Sequence, residues 1–289
     1  MKKLSLILVL VLSIGLMSFV GCDTADEDTQ EVKLAYVNWA EGIAMNYLVH
    51  SILEDDMGYQ VESTQAQPGV IFASLAEKDY DLFVDAWLPV THESYMEEFG
   101  DDLVDLGYNF EGARIGLVVP SYVDIDSIDE LNDVVDNFGG EIIGIGPGAG
   151  IMAATNDAID VYDLDFDLVE SSDPVMVTML SEGISDGEWV AVTGWEPHHK
   201  FASYDLKFLD DPEGVFGAVE NIHTVARDDI HDYLPEVAQL LENFYLDSEQ
   251  LGDLMGDIAE SGDDETELDV ARRWKEANQD LVNSWIPEQ

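Results

Sequence analysis

From Val32 onward, short apolar runs alternate with longer amphipathic ones, and the alternation occurs twice along the chain. Residues 32–38 (VKLAYVN) read as a buried strand, with Trp39 at its end. Residues 41–55 follow as a helix whose Ile43, Ala44, Tyr47, Leu48, Ile52 and Leu53 share one face. Gly58 punctuates the chain, residues 59–61 suggest a second strand, and residues 70–78 a short helix after Pro68-Gly69. Residues 81–86 (DLFVDA) are the third strand and deliver Trp87. This β-α-β-α-β succession predicts a parallel sheet covered by helices.

The pattern then restarts. Ser127-Ile-Asp-Glu130 is a capping box that opens a helix with Leu131, Val134, Val135 and Phe138 on one face. Residues 141–145 are a strand, a glycine-rich turn occupies 146–150, and residues 151–162 are a helix. Residues 168–170 suggest another strand, 174–180 a helix, and 188–193 the strand before Gly194-Trp195, which places Trp189 inside it. Two further strands, 115–119 before Pro120 and 222–226 before Arg227, read as crossings between two lobes. Residues 234–285 read as helices that return to pack on the first lobe, which takes Trp274 and Trp285 into the core together with Trp189. One continuous α/β sheet is the alternative.

Two phrases mark the ends of apolar runs in the two halves: Trp87-Leu88-Pro89 and Trp195-Glu196-Pro197. Trp87 lies 45 residues after Gly42-Ile43, and Trp195 lies 45 residues after Gly150-Ile151. A shift of 108 residues superposes the two sets, together with Val61-Glu62-Ser63 on Val169-Glu170-Ser171. Identity elsewhere at this offset is modest, so the repeat implies similar topology and not duplication. A tryptophan at the carboxyl end of a strand in an α/β lobe faces a crevice. Two of them suggest a ligand held between two lobes.

The N-terminus changes the setting. Lys2-Lys3, the apolar run 4–20 and Gly21-Cys22 have the layout of a secretory signal, residues 1–21. The apolar run is shorter than the roughly 20 residues that a spanning helix needs, which disfavours an uncleaved anchor. Cys22 is the sole cysteine of the chain, so no intramolecular disulfide can form. Its site resembles a bacterial lipobox, with ordinary signal cleavage as the alternative; residues 22–31 then form a lipidated cysteine and acidic tether. The body is expected outside the cytoplasm, held at the outer face of the cell membrane by that anchor alone. Its lobes are expected to comprise residues 32–115 plus 222–289, and residues 116–221.

Charge narrows the partners. The formal net charge is −51, which repels nucleic acid and anionic lipid. The apolar fraction of 46% argues against disorder as its cause, so the composition points to a folded protein adapted to high salt. With 62 acidic residues, paired carboxylates arise everywhere and identify no site.

Several phrases resemble the extracellular glycine betaine-binding proteins of ABC importers. They are AYVNW (35–39), DAWLPVTH (85–92), GLVVPSYV (116–123), IIGIGPGAGIM (142–152), GWEPHHKF (194–201), LDDP (209–212) and ENIHTVAR (220–227). The similarity runs from about Val32 to Trp285. It implies a two-lobed α/β periplasmic-binding-protein fold, type II-like, with mainly parallel sheets, flanking helices and a hinge of two crossing strands. It also implies a monomer that captures a small zwitterionic quaternary amine and passes it to a permease and its ATPase, without catalysis, metal or cofactor.

Elementary chemistry agrees with such a ligand. A trimethylammonium group has no N–H to donate, so aromatic faces hold it best, each contributing about 0.5–2 kcal/mol when desolvated. A carboxylate in the cage would instead attract any cation. The resemblance assigns the cage to Trp39, Trp87 and Trp195. It assigns the ligand's carboxylate to Gly150 and Ile151, whose backbone N–H groups open a helix, with His92 as a further donor about one turn into a helix begun by Pro89. Gly42-Ile43, the counterpart pair, is expected to be structural.

Rival readings are weaker. Gly144-x-Gly146-x-x-Ala149 approximates a dinucleotide fingerprint, but Pro147 and the extra glycines suit a tight turn. His198-His199 cannot readily share one metal, and H-E-x-x-H does not occur. Choline, carnitine or proline betaine remain alternatives to glycine betaine, and a sensory role remains an alternative to transport.

Overall fold

The computed structural model describes residues 30–262 and 265–288. The signal segment, Cys22 and most of the acidic tether lie outside the described residues. The strands are β1 (Glu31–Tyr36), β2 (Gln60–Gln65), β3 (Leu82–Leu88), β4 (Leu103–Pro120), β5 (Glu141–Ile143), β6 (Asp167–Val169), β7 (Ala191–Glu196), β8 (Leu206–Phe208) and β9 (Glu220–Arg227). The helices are α1 (Ala40–Asp55), α2 (Pro68–Ala76), α3 (Glu93–Phe99), α4 (Gly150–Val161), α5 (Asp173–Asp186) and α6 (Lys200–Ser203). Five more follow: α7 (Ile230–Tyr233), α8 (Pro235–Asn243), α9 (Ser248–Glu260), α10 (Glu267–Ala277) and α11 (Gln279–Trp285).

The strand order is β2-β1-β3-β9-β4-β7-β5-β6, with β8 on β4. Pairing is parallel among β2, β1 and β3 and again among β6, β5 and β7. It is antiparallel wherever β9 or β4 takes part. Two parallel blocks of β-α-β-α-β type are thus joined through antiparallel strands, as the repeated pattern predicts.

The first predicted crossing strand is longer than its apolar run. β4 pairs with β9 from Leu103 to Ala113 and with β7 from Arg114 to Val118, so one strand serves both blocks. Its first half alternates with register shifts, and Gly107 (φ 103°) and Gly112 (φ 86°) take left-handed conformations there. Such irregularities bend a strand and hide it from a period-2 reading. β9 pairs with β3 and β4, in the first block.

Other boundaries also move. Residues 128–138 form a 3₁₀ segment broken at Val134 (φ −132°) instead of an α-helix, although the Ser127/Glu130 capping box forms. Trp189 precedes β7 instead of lying in it, and its half-buried ring packs edge-on against Phe138 at 5.4 Å. Trp274 and Trp285 are buried as expected.

The C-terminal helices do return to the first block. Met45 and Val49, outside the predicted apolar face of α1, are fully buried, because α1 is covered on its far side by α9 and α10. Lys275 of α10 donates to the Ser51 carbonyl at 2.9 Å and to Asp56 at 2.7 Å, at the C-terminal end of α1. A cation there also meets the negative end of the helix dipole. Of the chain's 11 basic residues, Arg272 and Lys275 both serve this junction.

Candidate functional site

The parallel strands of the two blocks end facing one another, and a small cavity lies between them. Trp39, Trp87 and Trp195 line it together with His92, Gly150 and Ile151. Every residue that the sequence suggests for the ligand therefore reaches one cavity. Glu41, Thr91, Ile115, Ile145 and Ala149 complete the wall.

Each tryptophan is held differently. Trp39 is the residue before the first turn of α1, and its ring stacks on His92 with centroids 5.9 Å apart and planes 16° apart. Trp87 lies within β3, and its indole N–H donates to Asp85 Oδ1 at 2.9 Å. Trp195 lies within β7 and donates its indole N–H to Glu41 Oε2 at 2.8 Å, across the two blocks. All three are more than nine-tenths buried. Two of the indole N–H groups are thus satisfied by carboxyl oxygens, and all three rings line the cavity.

His92 precedes α3 instead of sitting one turn inside a helix begun by Pro89; residues 89–92 form a turn. That turn is tied by the His92 N–H to the Trp87 carbonyl at 2.9 Å. The carboxylate of Glu220 receives the N–H groups of Val90 and Thr91 at 3.1 and 3.0 Å, and the Thr91 hydroxyl as well. His92 Nδ1 accepts from the Trp87 backbone N–H at 2.9 Å, which assigns the ring proton to Nε2. Nε2 is buried and has no partner among the described residues. Burial pushes the imidazole pKa down to about 3, so the ring is neutral and offers one unused N–H.

Gly150 and Ile151 begin α4, as predicted, with free N–H groups at a helix start. A Cβ at Gly150 would overlap the Thr91 carbonyl oxygen, so glycine is what lets α4 approach the 89–92 turn of the other block. Tyr95 reinforces that contact by donating to the Gly148 carbonyl at 2.8 Å. Gly42 is the third residue of α1, within its first turn. A Cβ there would overlap Asp85 Oδ2, so its role is close packing.

The sequence reading missed the buried charges around the cage. Glu41 is raised well above its usual value, first by burial and then by Asp85. Burial pushes Asp85 up to about 8, against the Trp87 hydrogen bond, and its Oδ2 has no partner. A carboxyl group therefore does line the cavity, but burial favours its neutral form over a bare anion. Asp173 joins the blocks from the other side, accepting from the Ala40 N–H at 3.2 Å and from His198 Nε2 at 2.9 Å. His198 Nδ1 accepts from the Lys200 N–H at 3.0 Å, and burial pushes this imidazole down to about 4. His198 thus orients Asp173. Among the described residues no His, Cys, Asp and Glu cluster could hold a metal ion.

Comparison with known proteins follows this geometry. Residues 30–277 match the family model described as the substrate binding domain of ABC-type glycine betaine transport system. Over 160 residues the chain is 39% identical to the glycine betaine/carnitine transport binding protein GbuC of Listeria monocytogenes, covering 54% of this chain and 52% of that protein. The aligned part thus spans about half the length of that curated relative. The lactococcal OpuAC crystal structure, closed on glycine betaine, is 34% identical, with TM-score 0.83 over 89% of this chain and all of the other. The glycine/betaine/L-proline-binding protein ProX of Borrelia burgdorferi is 35% identical, with TM-score 0.85 over 90% and 97% of the two chains. A choline-binding protein of an ABC transporter, in complex with choline, is 27% identical with TM-score 0.83 over 90% and 92%. The chain belongs to the OpuAC family of substrate-binding domains of ABC-type glycine betaine transport systems, and its fold is theirs.

Proposed function

We propose that this protein captures glycine betaine, or a closely related quaternary amine, between its two lobes and delivers it to an ABC permease for uptake as an osmoprotectant. The observation that carries this reading is the meeting of three indole faces with two kinds of unused N–H donor in one small cavity. Trp39, Trp87 and Trp195 hold the trimethylammonium group. The Gly150 and Ile151 N–H groups and His92 Nε2–H hold the carboxylate at the other end.

Magnitudes support a zwitterion over a simple cation. Three desolvated aromatic faces contribute about 1.5–6 kcal/mol together, before the cost of immobilising the ligand. Each hydrogen bond to a charged carboxylate adds about 1.5–3 kcal/mol. Micromolar affinity, about 8 kcal/mol, therefore needs both ends.

The lobes comprise residues 32–115 plus 222–289, and residues 116–221, with closure completing the cage. The mature chain is a monomer, anchored through lipid on Cys22 outside the cytoplasm, and its acidic surface suits a high-salt habitat. Calorimetry against glycine betaine, proline betaine, carnitine and choline in high salt tests the reading. Binding of glycine betaine is the expected result, and no heat with any of the four overturns it. Choline is the second reading, favoured by the likeness to the choline-binding protein; equal affinity for choline and glycine betaine would remove the carboxylate role of Gly150, Ile151 and His92.

A further inference from the structure

Lys200 lies just beyond the second Trp-x-Pro phrase, at the first position of α6, and folds back beneath Trp195. It is completely buried, and its ammonium nitrogen has no hydrogen-bond partner. Its Nζ sits 4.0 Å from the centroid of the Trp195 ring and 5.3 Å from that of Phe201. Lys200 forms no part of the cavity wall, whereas Trp195 does. One face of the indole is thus covered by a lysine outside the cavity wall, and the His198 ring meets the indole edge-on at 4.8 Å, while the indole itself lines the cavity.

We propose that Lys200 sets the affinity and charge selectivity of the site from behind: when protonated it occupies one face of Trp195 and weakens the hold of the opposite face on a quaternary ammonium, and when neutral it releases that face. This rests on the cage reading given above. A ring has one quadrupole, and cations are drawn to it within about 6 Å of the centroid. A ligand cation at that limit would lie within about 10 Å of Nζ through dry protein, where mobile salt does not screen the repulsion. High salt outside therefore leaves this coupling intact.

The surroundings allow both protonation states. Burial pushes Lys200 down to about 7, while the carboxyl groups of Asp173 on α5, Glu41 on α1 and Glu196 on β7 favour its charged form. His198 and His199, on its own segment, stack at 4.4 Å, and burial lowers both imidazoles. From β4, the apolar Val118 packs close to Gly194, on the strand before it. A ligand cation arriving at Trp195 adds to the terms that favour the neutral amine.

The test titrates wild type, Lys200→Met and Lys200→Arg with glycine betaine and with choline at pH 6 and pH 9, melting curves confirming the fold at both. Methionine keeps an unbranched chain of similar volume and removes the charge. At pH 6 the charged lysine outnumbers the neutral form by about tenfold, so Lys200→Met is expected to bind both ligands up to about tenfold tighter than wild type. At pH 9 the two should agree within about twofold. Lys200→Arg stays charged and should remain the weakest binder at pH 9. Equal affinities for wild type and Lys200→Met at pH 6 would overturn the proposal. Should the methionine variant fail to fold, an arginine variant as tight as wild type at pH 9 overturns it equally. A wild-type protein that binds neither ligand instead removes the functional reading and leaves the Lys200 geometry without a role.

Discussion

The imidazole of His92 accepts a hydrogen bond from the backbone N–H of Trp87 at 2.9 Å, and this bond decides which ring nitrogen carries the proton. The donor left over, Nε2–H, is buried with no partner beside the cage tryptophan to which the ring is bound. One local contact thus couples the proposed aromatic cage to the proposed carboxylate donor.

His92→Phe keeps a flat ring against Trp39 and removes the N–H. Losing one hydrogen bond to a charged carboxylate costs about 1.5–3 kcal/mol, so glycine betaine affinity should fall about tenfold or more. Choline, which lacks the carboxylate, should change by less than about twofold. The Trp87 N–H loses its acceptor, so a lower melting temperature accompanies the change. Equal losses for the two ligands in parallel titrations would reject the donor role.

Gly150→Ala places a methyl group against the Thr91 carbonyl. Overpacking of this kind costs about 1–3 kcal/mol, which predicts roughly a ten- to hundredfold loss of betaine affinity. Alanine is favoured over glycine in a helix by roughly 0.5–1 kcal/mol, so the ligand-free protein should melt no earlier than wild type if opening relieves the clash. A ligand-free protein destabilised as much as binding is weakened would place the need for glycine in the fold and not in closure.

Asp85→Asn tests the buried carboxyl behind Trp87. Its folded pKa is raised to about 8, above an unfolded value near 3.9. Protonation therefore contributes stability that is fully present below about pH 3.9 and is lost as the pH rises through about 8. The variant, whose amide oxygen can still accept from Trp87, should gain stability relative to wild type between pH 5 and pH 9. Melting curves of the two proteins that stay parallel across that range would contradict the assignment.

The formal charge of −51 predicts a fold that depends on salt. Self-repulsion of a like-charged surface falls as the Debye length shrinks from about 30 Å at 0.01 M to about 3 Å at 1 M. The melting temperature should climb steeply over that range. One that is indifferent to sodium chloride would remove the habitat reading.

The parts legible in the sequence are those written locally. Strand periodicity, the helix start at Gly150 and the paired Trp-x-Pro phrases all depend on residues within a few positions of one another. The two-block sheet and the presence of Trp39, Trp87 and Trp195 near one crevice follow from them, because strand ends in such sheets converge. What β4 does in its first half was not legible, since its register shifts break the alternation that would announce it.

The charges were decided by tertiary structure alone. Glu41, Asp85, Asp173 and Glu220 are four of 62 acidic residues, and nothing near them in the chain separates them from carboxylates that face water. Burial separates them, and burial is set by residues up to 154 positions away, as in the bond from Trp195 to Glu41. Lys200 is the same case with the opposite sign: a short segment bearing a lysine reads as surface until the fold places its ammonium under an indole ring. The sequence by itself, through its local patterns and its resemblance to the family, pointed to the side chains that the fold brings to one cavity. The fold decided which charges stand around them, because desolvation depends on every atom packed nearby and not on neighbours along the chain.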